Sequence, residues 1–60
     1  MQFMVIARFL IRGKVWKTYQ KEFNNIDAAK MWAEEMYESA RIDRGEQVSV
    51  CLYELKETYN

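Results

Sequence analysis

QFMVIARFLIRGKVWKTYQKEF, residues 2–23, is two runs of strand chemistry around a glycine turn. Gln2–Arg12 is rich in Phe, Val, Ile and Leu, and Val15–Phe23 mixes Val, Trp, Tyr and Phe with Thr, Lys and Gln. β-Branched and aromatic residues suit a pleated, half-buried surface, so both runs read as strands. Gly13-Lys14 lies between them, and glycine in first place suits a type II′ turn, whose twist matches the strands it joins. That turn predicts the pairs Ile11–Trp16 and Phe9–Thr18 on one face, and Leu10–Lys17, Arg8–Tyr19 and Ile6–Lys21 on the other. Phe3, Val5, Ala7, Phe9 and Ile11 then line the core face. Arg8, Lys17, Tyr19 and Lys21 share the opposite face with Met4, Ile6 and Leu10.

After the hairpin, Asn24 or Asn25 can cap a helix, with Asp27 well placed in its first turn. At about 100° per residue, Ala29, Ala33, Met36 and Ala40 form one stripe, flanked by Trp32 on one side and Tyr37 on the other. Alanines there let a helix lie close to a sheet. Glu34, Glu35 and Glu38 face away, as do Met31 and Ile42, and Gly45 is a natural stop. Gln47–Lys56 returns to strand chemistry, with Val48, Val50, Cys51, Leu52, Tyr53 and Leu55 on both parities. Such a strand is buried on both faces or has one face awaiting a partner; Glu57–Asn60 reads as a frayed tail. The expected fold is α+β, in the order strand, strand, helix, strand. It is a single domain, residues 1–60: a three-stranded antiparallel sheet with the first strand central. One helix covers one face and the other face stays open.

Composition narrows the chemistry. The chain has no histidine and one cysteine, Cys51, which removes histidine-based nucleophilic catalysis, histidine metal sites and a structural zinc site. With two glycines, Gly13 and Gly45, it has neither a dinucleotide fingerprint nor a P-loop. The expectation is a non-enzymatic binding domain without cofactor or metal. A lone cysteine suits a reducing compartment, so a cytoplasmic location is expected, and Cys51 reads as a small buried hydrophobe. No apolar run approaches the roughly 18 residues that cross a membrane, and the N-terminal stretch lacks a basic leader and a small-residue cleavage site. Net charge is zero, but residues 1–23 hold five basic residues against Glu22, while residues 24–60 hold four basic and eight acidic residues. This division predicts a basic and an acidic side.

Lys21-Glu22-Phe23, Trp32-Ala33 ten residues after Glu22, and Tyr37 beyond them resemble the small Dmd antitoxins of T4-like bacteriophages. In that family a Lys-Glu-Ile stretch is followed at the same spacing by Trp-Ala and then Tyr. An apolar strand precedes it, and a strand containing Val and Cys closes a chain of similar length. The similarity runs over residues 2–39 without a gap and needs one before Val48. It implies a protein that binds host endoribonuclease toxins of the RnlA and LsoA type and obstructs their RNA-cleaving region, protecting phage messenger RNA. The family's contact tryptophan corresponds to Trp32. Its asparagine nine residues later corresponds to Arg41, a departure that bears on which toxin is recognised.

These readings place expected toxin contacts at Met31, Trp32, Glu35, Tyr37, Glu38 and Arg41. Each has a plainer alternative. An aromatic at the edge of a helical stripe is often core, though tryptophan can bury one edge and offer the other. Single exposed apolar residues such as Met31 are ordinary, and a glutamate run is ordinarily a solvated face. Two further readings concern the open sheet face. Tyr19 and Tyr53 among Arg8, Lys17 and Lys21 have the chemistry to stack bases and hold phosphates, although neutral net charge opposes RNA binding. Met4, Ile6 and Leu10 would otherwise be exposed, which suggests a homodimer through that face.

Overall fold

Along Gln2–Ile11 every second side chain, from Phe3 to Phe9, is buried, and the ones between are half-exposed. That period-two pattern makes this segment, β1, a strand between two faces of unequal burial. The structure is a computed structural model that describes residues 2–40 and 45–56. Three further elements follow β1: strand β2 (Lys14–Phe23), helix α1 (Ile26–Glu38) and strand β3 (Glu46–Leu55). The strands form one antiparallel sheet in the order β2-β1-β3. The expected α+β architecture, with the first strand central and one face open, is what the chain adopts.

Asn25 caps α1, its Oδ1 accepting from the backbone N–H of Asp27 at 2.7 Å and of Ala28 at 3.4 Å. The helix stops at Glu38, well before Gly45, because the Ser39 hydroxyl donates to the Met36 carbonyl at 2.7 Å and closes the last turn. Gly45, with φ +70, instead precedes β3. α1 lies mainly over β3 and β1 and less over β2. The contact is close because its inward residues are small: Ala29 is fully buried against Phe3 and Val5, with Ala33, Trp32, Phe23 and Val50 packed around them.

The hairpin differs from expectation in register. The turn is Arg12-Gly13, both with positive φ (54 and 79), the signature of a type I′ turn, and it pairs Ile11 with Lys14. A bulge opposite Phe9 and Leu10 then absorbs Trp16, so that Phe9 pairs with Lys17, Ala7 with Tyr19, Val5 with Lys21 and Phe3 with Phe23. Shifting a register by one residue moves every side chain of a strand to the other face. Lys17, Tyr19 and Lys21 therefore lie on the helix side, not on the open face with Arg8. The physical reason is aromatic packing. This register brings Phe23 against Trp32, ring centroids 5.8 Å apart, and sets Tyr19 edge-on to Phe9 at 5.8 Å and 89°. The register expected from a II′ turn would have placed both rings on the open side.

β3 is half-covered: Val48, Val50 and Leu52 face the helix side through their pairing with Phe9, Ala7 and Val5. Cys51, Tyr53 and Leu55 face the open side. Cys51 is thus half-exposed beside Ile6, not the buried hydrophobe expected. Ile42 and the tail from Glu57 lie outside the described residues.

Left-handed backbone at a residue with a Cβ costs on the order of 1 kcal/mol, and asparagine tolerates it best. Arg12→Asn should therefore raise stability by about 0.5–1 kcal/mol, or about 4 °C in thermal unfolding followed by circular dichroism. A lower midpoint would contradict the type I′ assignment.

Candidate functional site

The outward surface of α1 follows from the same 100° step that buries Ala29. Met31, Glu34, Glu35 and Glu38 point away from the sheet and are exposed, Met31 at 63%. Trp32 and Tyr37 leave the helix about 140° apart. Trp32 leans towards the end of β2 and packs one side on Phe23; it is half-buried. Tyr37 leans towards β3, lining a hollow with Gln47 and Val48, and is 65% exposed.

The six expected contact residues thus do not make one patch. Met31, Trp32 and Glu35 follow one another from the crest of the helix to its β2 side, whereas Glu38 stands between the crest and the hollow that it lines with Tyr37. Tyr37 is on the far flank, and Arg41 lies outside the described residues. A surface that engages Trp32 at its centre cannot place Tyr37 at its centre as well.

The structure adds neighbours that the sequence reading put elsewhere. Because α1 leaves β2 largely uncovered, a groove of about 570 Å³ runs between them. Phe9 and Ile11 form its floor, Trp16, Lys17 and Tyr19 one wall, and Met36 with Ser39 the other. Trp16 is 53% exposed. The Lys17 ammonium sits between two rings, 4.8 Å from Tyr19 and 5.6 Å from Trp16, and that of Lys21 lies 5.4 Å from the Phe23 ring. Cation–π contacts hold these lysines against the aromatic strip. The signal for this strip was in the sequence, as Trp16-Lys17-x-Tyr19-x-Lys21-x-Phe23. A bulge at Trp16 was needed to place both Trp16 and Lys17 on the helix side.

The charge division consequently does not make two opposite sides. The glutamates of α1 and the lysines of β2 are on the same side of the sheet, on either flank of Trp32 and the groove. The open face carries one cation, Arg8, and one anion, Glu22, on its three strands. The basic-aromatic sheet face on which RNA binding rested is therefore divided between two sides of the molecule.

No family model, curated protein or solved structure matches the chain. Among the described residues, no three His, Cys, Asp or Glu side chains are grouped to hold a metal ion, and no helix is long and apolar enough to cross a membrane. What the geometry offers is a surface for recognition: a half-buried tryptophan, an exposed methionine, an acidic crest and an adjoining lysine–aromatic strip.

Half-burial fixes what truncation should do. Removing a fully buried tryptophan costs about 3–5 kcal/mol. Trp32→Ala, losing one packed side, should cost about 2 kcal/mol and lower the unfolding midpoint by about 10 °C without abolishing the fold. Failure to fold at any temperature would make Trp32 a core residue only.

Proposed function

We propose that this protein is a bacteriophage antitoxin, a non-enzymatic inhibitor that binds a host endoribonuclease toxin of the RnlA or LsoA type in the bacterial cytoplasm. One observation carries the reading beyond the sequence resemblance. Trp32 packs on Phe23 yet stays half-buried, with the exposed Met31 and Glu35 next to it on the crest side of the helix, the disposition of an interface anchor. Phe23, Trp32 and Tyr37 are the aromatic members of the motifs that resemble the Dmd antitoxins, and the first two meet in space. The ten-residue spacing thereby acquires a physical meaning: it is the length of chain that leaves β2, caps α1 at Asn25 and returns the tryptophan over the strand end.

Inhibition by such a surface needs no chemistry from the inhibitor. A nuclease holds RNA in a basic cleft, and Glu34, Glu35 and Glu38 offer that cleft an acidic competitor. Trp32 and Met31 supply apolar burial, and aromatic anchors near the centre of an interface typically carry about 2 kcal/mol or more each. The lysine–aromatic strip of β2 widens the surface on the other side of Trp32. Tyr37 and Glu38 would then contact the toxin only if it also wraps the far flank of the helix.

Co-expression with RnlA-type and LsoA-type toxins should restore growth, and the complex should survive nuclease treatment during purification. Trp32→Ala, checked as folded by circular dichroism, should lose both. Co-purification that disappears when RNA is digested would overturn direct inhibition and favour RNA binding.

The glutamates should act on the encounter more than on the residence of the complex, since rim charges steer association and salt screens them. Replacing Glu34, Glu35 and Glu38 by glutamine should slow association several-fold at low salt, with little change at high salt or in dissociation. An association rate unchanged at low salt would show that the crest points away from the toxin.

A further inference from the structure

Among the described residues, none covers the sheet face opposite α1. Met4, Ile6 and Leu10 run along its centre, with Cys51, Tyr53 and Leu55 beside them on β3. Tyr53 is 47% exposed, and Val15, opposite Leu10 on β2, is 51% exposed. Among the described residues of the three strands, the polar side chains of the face are Gln2, Thr18, Gln20, Gln47 and Ser49, and the charged ones are Arg8 and Glu22. Glu22 pairs with Met4, four residues along β1 from Arg8. At about 3.3 Å per residue the two are some 13 Å apart, too far to pair within one chain.

Their positions are nevertheless complementary under a twofold rotation. An isologous interface brings residue i of one copy to residue j of the other and, by symmetry, j to i. Consider an axis lying in the face and crossing the strands at Gln20, Ile6 and Cys51, which the register places in one row. Rotation about it sets each of these three over its own copy. It exchanges the row Thr18, Arg8, Ser49 with the row Glu22, Met4, Tyr53. Glu22 of a second copy then stands over Thr18, one strand spacing of about 4.8 Å to the side of Arg8, with the sheets about 10 Å apart. Extended arginine and glutamate side chains together bridge that offset. The same rotation brings the Tyr53 hydroxyl to Ser49 and the apolar centres together. An axis along β1 would instead set Arg8 against Arg8, a repulsive arrangement. The two charges therefore select one orientation of a second copy.

We propose that the open face is a weak isologous interface between two copies of this chain, with its twofold axis passing at Ile6 and Cys51. Three ten-residue strands cover on the order of 500 Å² per copy, about 1,000 Å² in all, the lower limit for a specific interface. The dimer is accordingly weak and concentration-dependent. Both copies of α1 point outward, so the proposal stands apart from the antitoxin reading and uses none of its residues.

Sedimentation of the whole chain from about 1 to 500 μM should show a monomer–dimer equilibrium. Arg8→Glu and Glu22→Arg should each weaken the dimer at least about tenfold, because each creates two like-charge contacts. An equimolar mixture of the two variants should restore association, since each then meets its opposite charge. A short bismaleimide should link two wild-type chains through Cys51, and the linkage should fall in parallel with dimer in either variant alone. A monomer throughout the range, or single variants with wild-type association, would overturn the proposal. So would association by both variants that mixing does not strengthen. If Ile6→Arg abolishes toxin binding in a folded monomer while Trp32→Ala retains it, the face belongs to the toxin, and both this dimer and the Trp32 site are wrong.

Discussion

Phe23 has to reach the helix side of the sheet, and most of the structure follows from that requirement. It is the last residue of β2, and Trp32 closes over it from α1 two turns into the helix. If Phe23 faced the open side, Trp32 would have no platform, and Phe3 and Val5 would lose one wall of their cluster. Meeting the requirement fixes the parity of β2. The parity sends Tyr19 to Phe9 and Glu22, Gln20 and Thr18 to the other face. The short loop at Arg12-Gly13 does not fit that parity alone, and Trp16 bulges to reconcile the two. The packing of Phe23 on Trp32 and of Tyr19 on Phe9 thus outweighs one residue of left-handed backbone and one break in the ladder.

Much of this was legible in the sequence, but unevenly. The alternation Phe3-Val5-Ala7-Phe9 announces a central strand with one buried face, because period two is a direct consequence of the pleat. The small-residue stripe from Ala29 to Ala33 announces a helix lying close to a sheet, and Asn25 with Asp27 announces where it starts. The hairpin register was not legible from the turn, since Arg12-Gly13 and Gly13-Lys14 are both two-residue loops containing glycine. Either loop alone would leave Phe23 on the open face, and only the bulge at Trp16 brings it to Trp32, nine positions beyond the strand. The site inherits that uncertainty: Trp32 and Met31 are where a helical wheel puts them. Lys17, Tyr19 and Lys21 changed faces with the register, and Ser39 ended the helix before Gly45 could.

The two faces of the finished sheet differ in kind. On the helix side, α1 covers β1 and β3 and leaves β2 bare, so charged and aromatic groups stand around a groove that has depth and chemical variety. On the other side lies a shallow surface, apolar along its centre, with two charges far apart. Depth and variety favour recognition of an unlike partner. A flat, sparsely charged surface favours a copy of itself, for which symmetry doubles every contact. The β2 edge carries Lys14, Lys17 and Lys21 and a bulge, devices that discourage strand addition there.

β1 is bonded to one neighbour that is near in sequence and another that is far. Its pairs with β2 close loops of at most 20 residues, from Ile11–Lys14 to Phe3–Phe23, whereas its pairs with β3 span 35 to 53 residues, from Ile11–Glu46 to Gln2–Leu55. Loop-closure entropy grows with span, so the hairpin has the cheaper ordering step and β3 docks against a strand already half-satisfied. Until it does, one long edge of β1 is bare, and Phe3, Val5 and Phe9 have only β2 beside them. The pairings of widest span thus depend on α1 to carry the chain back across the sheet. The Asn25 cap, which touches neither sheet face, supports the completion of the sheet by holding the start of that helix.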